Sequence, residues 1–180
     1  NGQMTSPALS PFLPSERLPL PADFSAVSNW VFDLDNTLYP RRSNLFAQVD
    51  VRITRYVMAV TKLEFGPARA LQKTYYRDHG TTLNGLMREY RIDPDDLLRT
   101  VHDFDYSPGE ADPALAGAIA GLKGRKFILT NGDVCHAEAV LQRVGAAGLF
   151  AGIFDIRAMG FKPKPLPEAY ESFFAQHGID

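Results

Sequence analysis

The chain has 180 residues, 45% of them apolar, and 19 Lys and Arg against 21 Asp and Glu give a formal charge of −2. The length suits one domain, or one domain with an insertion, and no basic surplus points to a nucleic acid polymer or an anionic membrane. The single cysteine, Cys135, excludes an internal disulfide or a multi-Cys zinc site and makes a reducing, cytoplasmic setting the default. No apolar run approaches the ~18 residues of a membrane helix.

Residues 1–25 carry Pro7, Pro11, Pro14, Pro19 and Pro21, a spacing that blocks helices and predicts an extended arm. The first strand is expected over 29–34, in "NWVFDL", and it ends on two aspartates, Asp33 and Asp35. From there the period becomes helical. Phe46, Val49, Ile53, Tyr56 and Val60 predict one apolar stripe, and further helices are expected over 67–77 and 82–90. Asp93 as N-cap and Pro94 at the first helical position open a fourth, with Leu97, Leu98 and Val101 inward. Residues 43–104 therefore read as an all-helical unit.

Strand–helix alternation resumes after Tyr106. Asp112 and Pro113 open a helix with Leu115, Ile119 and Leu122 on one face, and "KFILT" is a short buried strand. Asp133 caps a helix with Val134, Ala137, Leu141 and Val144 inward; "GIFDIRA" is a third strand and "PEAYESFFAQHG" a last helix. Strands alternating with helices imply parallel pairing through right-handed crossovers. The expected fold is an α/β, Rossmann-like parallel sheet core formed by 26–42 and 105–180, interrupted by a helical lid over 43–104.

In such sheets ligands bind beyond the carboxyl ends of the strands. Asp33 and Asp35 fall there after strand one, Thr130 and Asn131 after strand two, and Lys164 beyond strand three, with Lys162 as a competing lysine. Asp33, Asp35 and Thr37 lean to one side while the chain stays extended. Two neighbouring carboxylates repel, and a divalent cation with oxygen ligands, Mg²⁺ above all, relieves that. One carboxylate then serves as nucleophile and the other as proton donor and acceptor, with a hydroxyl, an amide and an ammonium facing a phosphoryl group. An Asp-Asn cluster at a strand end is also an ordinary turn, and "DLDNT" alone does not decide between them. Cys135 reads as a packing residue. His79, His102, His136 and His177 share no metal-ligand spacing and read as structural or surface residues, His136 alone lying near the site.

"VFDLDNTLY", "ILTNG" and "KPLPEAY", in this order with a helical insert after the first, resemble the haloacid dehalogenase-like hydrolase superfamily. Within it, "NLFAQVDVRITRYV", "YYRDHGTTLNGLM" and "FDYSP" resemble the pyrimidine 5′-nucleotidases. The resemblance implies Asp33 as nucleophile through an aspartyl-phosphate and Asp35 as general acid and base. It implies Thr130 and Lys164 as phosphate holders with the Asn131 backbone or amide beside them, and Mg²⁺ on the Asp33 carboxylate and the Asp35 carbonyl. It makes the insert a cap, with Thr81 and Thr82 as candidate specificity residues and a small phosphomonoester as the substrate. A sugar-phosphate phosphatase or phosphomutase of the same fold, or a non-catalytic phospholigand-binding protein, are the alternatives. The family's fourth motif, an acidic pair after a further strand, is expected beyond "AQHGID", so these 180 residues are read as a fragment, as completed by a partner, or as a degenerate member. The core therefore reads as incomplete at its C-terminus, and strand one is expected to be a bare apolar edge.

Overall fold

The computed structural model describes residues 24–179; the Pro-rich arm expected over 1–25 lies outside them except for its last two residues. Three parallel strands, β1 (Asn29–Phe32), β2 (Arg125–Leu129) and β3 (Gly152–Phe154), form one sheet in the order β1-β2-β3. Phe32 pairs with Ile128, and Ile128 with Ile153, so these three share one face. Phe127, Leu129 and Phe154 turn to the other, the period-two division expected of strands covered on both sides.

Two helices cover the first face. α5 (Pro113–Gly121) and α6 (Val134–Arg143) bring Ile119, Ala137, Val140 and Leu141 against Ile128. On the second face α7 (Pro167–His177) buries Phe173 completely, its ring edge-on to Phe127 and Phe154 at 5.4 and 5.5 Å between centroids. Val31, in register with Phe127, is left 42% exposed on the sheet's free edge.

Between β1 and α5 run α1 (Leu45–Thr61), α2 (Phe65–His79), α3 (Thr82–Tyr90) and α4 (Pro94–His102). α3 has the expected bounds, and Gly80, at φ 78°, ends α2 just before it. Asp93 caps α4 by accepting the Asp95 N–H. Of the expected α1 stripe, Val49 is buried and Ile53, Tyr56 and Val60 pack against the same core, whereas Phe46 is exposed and Leu45 and Val57 are buried in its stead. Thr54 and Gln72 are buried and hydrogen bonded to each other across α1 and α2. Beside them Asp50 takes Arg69, Lys73 and Gln72 at 2.7–2.8 Å.

Both outer strands are shorter than expected. β1 ends at Phe32 because Leu34, wholly buried, starts a turn in which its carbonyl accepts both the Thr37 and Leu38 N–H groups. β3 ends at Phe154 because the Asp155 carboxylate accepts from Val134 N and Ala158 N and bends the chain away. Among the described residues no helix is long and apolar enough to cross a membrane.

Candidate active site

The turn after β1 presents Asp33 at the carboxyl end of the sheet. Its side chain is 49% exposed; Oδ1 lies 2.6 Å from Lys164 Nζ, and Oδ2 accepts the Thr37 hydroxyl at 2.9 Å. Thr37 thus reaches Asp33 by folding back over the turn, not by the extended alternation that the sequence suggests. Lys164 Nζ also donates to the carbonyl of Leu129, the last residue of β2, at 2.5 Å. An ammonium has three hydrogens, so one remains for a ligand. Lys162 is exposed, and the structure brings Lys164, not Lys162, to the carboxylates.

Asn131 holds that lysine in place. Its Oδ1 accepts the Lys164 N–H at 2.9 Å and its Nδ2 donates to the Lys164 carbonyl at 3.1 Å. The amide expected to face a phosphate is therefore occupied by the backbone of another site residue. What remains free is the Asn131 N–H, which meets no acceptor among the described residues. Thr130 is buried; its Oγ1 accepts the Gly132 N–H at 3.0 Å and keeps its own hydrogen to donate.

Asp35 faces a different environment. Its Oδ1 accepts from Tyr39 Oη at 2.5 Å and from His136 Nε2 at 2.8 Å, while Oδ2 takes no hydrogen bond from the described residues. Burial raises its pKa, but the hydrogen bond and charge of His136 and the bond from Tyr39 outweigh that, and the carboxyl sits below its ordinary value. Burial and the Asp35 charge push the Tyr39 phenol far up, so it acts there only as a donor.

Behind His136 lies a polar cluster. Its Nδ1 is 2.9 Å from Tyr106 Oη, and its ring stacks on His102 at 4.4 Å and 13°. His102 Nδ1 lies 3.0 Å from Asp133 Oδ1 but is not aligned for a hydrogen bond. Burial holds His102 below its usual pKa despite that carboxylate. Asp133 caps α6 by accepting the His136 N–H at 2.9 Å. Burial opposes its ionisation, yet His102, that N–H and Arg157 bring its pKa down to about 2. Arg157 spans from Asp133, at 3.5 Å, to Asp95 on α4, at 2.7 Å.

Two expectations do not match this geometry. Thr82 is buried and donates its hydroxyl to the Gln72 carbonyl, and Thr81 accepts the Asn84 N–H as the α3 cap, so both hydroxyls hold the α2–α3 turn. The same turn does approach the lysine loop: a Cβ on Gly80 would come 2.8 Å from Pro163, and Asn84 donates to the Phe161 carbonyl. Cys135, expected to pack, is exposed, because it falls on the outer side of the first turn of α6 while His136 and Ala137 face inward. Sequence reasoning reads His102 only as a structural or surface residue and offers no role for Tyr39 or Tyr106. Only Tyr39, four residues after Asp35 and so one turn away, carried a local signal. Of two concavities, of about 530 and 460 Å³, the second borders the cluster behind Asp35, with His102, Tyr106, Asp133 and His136 in its lining; none of Asp33, Asp35, Thr130 and Lys164 lines either.

A family model described as haloacid dehalogenase-like hydrolase matches residues 30–180. Phosphate metabolism protein 8 of Saccharomyces cerevisiae is 26% identical over 177 residues, an alignment covering 89% of this chain and 54% of that protein. The chain thus spans about half the length of this curated relative. Among solved structures it is similar to the HAD-hydrolase YfnB of Bacillus subtilis bound to magnesium, at 17% identity and a TM-score of 0.48, over 83% of this chain and 72% of that one. It is also similar to L-2-haloacid dehalogenase of Xanthobacter autotrophicus, at 19% identity and a TM-score of 0.49, over 85% of this chain and 66% of that one.

Proposed function

Because the chain belongs to the haloacid dehalogenase-like hydrolase family, we propose that it hydrolyses phosphomonoesters, with Asp33 as nucleophile and Asp35 as general acid and base. The observation that carries this reading is the division of labour between two carboxylates two residues apart. Asp33 is exposed and paired with Lys164 at 2.6 Å, whereas Asp35 is anchored through Oδ1 alone and keeps Oδ2 free.

The steps follow from those positions. The charge of a bound phosphate monoanion beside Asp35 opposes the pull of His136 and Tyr39, and the substrate's proton passes to Asp35 Oδ2; an Asp33 oxygen then attacks phosphorus while the ester oxygen departs and takes that proton, leaving an aspartyl-phosphate and an alcohol. Asp35, now a carboxylate, removes a proton from water as that water attacks phosphorus; phosphate leaves and Asp33 is restored. The Thr130 hydroxyl, the Asn131 N–H and the third hydrogen of Lys164 are the donors for the three phosphoryl oxygens.

The donors suit Mg²⁺, a cation that binds one or two carboxylates and completes its shell with phosphate oxygens and water. The Asp33 carboxylate and the Asp35 backbone carbonyl, which accepts no hydrogen bond among the described residues, would hold it. When bound, it would offset the negative charge of substrate and carboxylates. Among the described residues no three of His, Cys, Asp or Glu gather as a cation cage.

On this reading the substrate is a small phosphomonoester, and the four-helix insert over 43–104 is the cap that selects its leaving group. The cap motifs favour a pyrimidine nucleoside monophosphate, and the yeast relative's name, which places that protein in phosphate metabolism, accords with phosphate chemistry. The test is phosphate release from UMP, CMP, AMP and several sugar phosphates, with Mg²⁺ or with chelator, using Asp33→Asn as the blank. Release that requires Mg²⁺ and favours UMP and CMP supports both levels of the reading. Equal release from all esters removes the nucleotide preference, and none from any removes the hydrolase.

A further inference from the structure

We propose that His136 is a positioning residue for Asp35, and that His102 and Tyr106 seat it so that the helical insert sets the pose of the general acid. The proposal rests on the phosphomonoesterase reading of the site.

Three observations carry it. First, both donors converge on the same oxygen. Tyr39 Oη and His136 Nε2 reach Asp35 Oδ1 at 2.5 and 2.8 Å. A carboxyl oxygen that already accepts two hydrogen bonds is a poor place for a proton, so the transferable proton belongs on Oδ2. The proton that moves travels on Asp35.

Second, the imidazole is held at both ring nitrogens and on one face. Its side chain is 1% exposed, Nδ1 meets Tyr106 Oη at 2.9 Å, and one ring face lies on His102 at 4.4 Å. Such locking turns a carboxylate contact into a fixed orientation. The open side is Gly132: a Cβ there would stand 3.1 Å from His136 Cδ2, 3.4 Å from Thr130 Oγ1 and 3.9 Å from Asp35 Oδ2. Oδ2 and the Thr130 hydroxyl therefore border one space, which a side chain at 132 would fill.

Third, the insert reaches the seat through His102. His102 is the last residue of α4, and Tyr106 Oη also donates to the His102 carbonyl at 3.1 Å. Arg157 ties Asp133, the cap of the helix that carries His136, to Asp95 at the other end of α4. A displacement of α4 would shift the ring beneath His136 and so the acid, while Asp33 and Lys164 stand on other contacts.

The test compares leaving groups, since an ordinary packing histidine would not distinguish them. kcat/KM is measured with glycerol 2-phosphate and UMP, whose alkoxides need a proton to leave, and with p-nitrophenyl phosphate, whose phenolate does not. His136→Phe keeps the stacked ring and loses the N–H; its loss with the alkyl esters should exceed its loss with p-nitrophenyl phosphate by on the order of 100-fold. His136→Gln, which restores a donor, should recover part of that difference. Tyr106→Phe, a milder change, should show the same selectivity to a smaller degree and serves if His136→Phe does not fold. Equal loss on all three esters, or no loss, overturns the positioning role. Wild-type protein that releases phosphate from neither alkyl ester, or Asp33→Asn as active as wild type, sinks the hydrolase reading and the role with it.

Discussion

Replacing Asn131 by Ala separates holding a phosphate from holding the lysine that holds it. The side chain makes two hydrogen bonds to the backbone of Lys164, at 2.9 and 3.1 Å, joining the loop after β2 to the loop before α7. Each such bond contributes a net of roughly 0.5–1.5 kcal/mol, so their loss should lower stability by about 1–3 kcal/mol. The larger consequence is for catalysis. Lys164 Nζ retains Asp33 and the Leu129 carbonyl as partners, but its backbone loses the clamp, and a misplacement near 1 Å costs roughly 100-fold in rate. Urea unfolding measures the first effect and steady-state phosphate release the second, with kcat expected to fall about 100-fold. Asn131→Asp, which keeps the acceptor for the Lys164 N–H, should lie between. If Asn131→Ala lost stability as calculated and turned over at the wild-type rate, the lysine would be placed by its own contacts and the clamp would have no part in function.

Lys164→Ala should cut phosphate release severely while Lys162→Ala leaves it unchanged; the reverse ranking in the same assay would transfer the role to the exposed lysine. Phe173→Ala empties a fully buried site between Phe127 and Phe154 and should cost about 3–5 kcal/mol in urea unfolding, and a loss below about 1 kcal/mol would mean that α7 is not packed as described. pH acts through His102, whose folded-state pKa lies below the ordinary 6.5, so the unfolded chain binds its proton first. Stability should decline as pH falls below about 6.5, and the decline should shrink in His102→Phe; parallel urea-midpoint curves for the two proteins would contradict this. Asp133 acts at lower pH: its contribution is present above 3.8 and is lost as pH falls towards about 2.

Where an element is defined by local chemistry, the sequence showed its limits. The bounds of α3, the start of α4 at Pro94 behind the Asp93 cap, and the Asp112 and Asp133 caps all rest on interactions within a few residues. The ends of β1 and β3 depend on a turn and on Asp155 reaching a different helix, and those were not legible. The site divides the same way. Asp33, Thr130 and Lys164 converge because parallel strands place their carboxyl ends together, which alternation alone implies. The partner of Asp35 was hidden: His136 stands 101 residues away, and which nitrogen meets which acceptor depends on how α6 is rotated on the sheet. Whether Asn131 meets a phosphate with its backbone or its amide stays open in the sequence for the same reason, since nothing near residue 131 announces that the backbone of residue 164 will occupy the amide.

The central claim is that Asp33 carries the phosphoryl group, and the most direct measurement is to look for it there. Acid-quenched turnover of an alkyl phosphomonoester, followed by mass analysis of the peptide containing Asp33, should show one added phosphoryl group on that residue. The label should be absent in Asp33→Asn, which should also fail to turn over. Turnover with no label on Asp33, persisting in Asp33→Asn, would contradict the account and require another nucleophile.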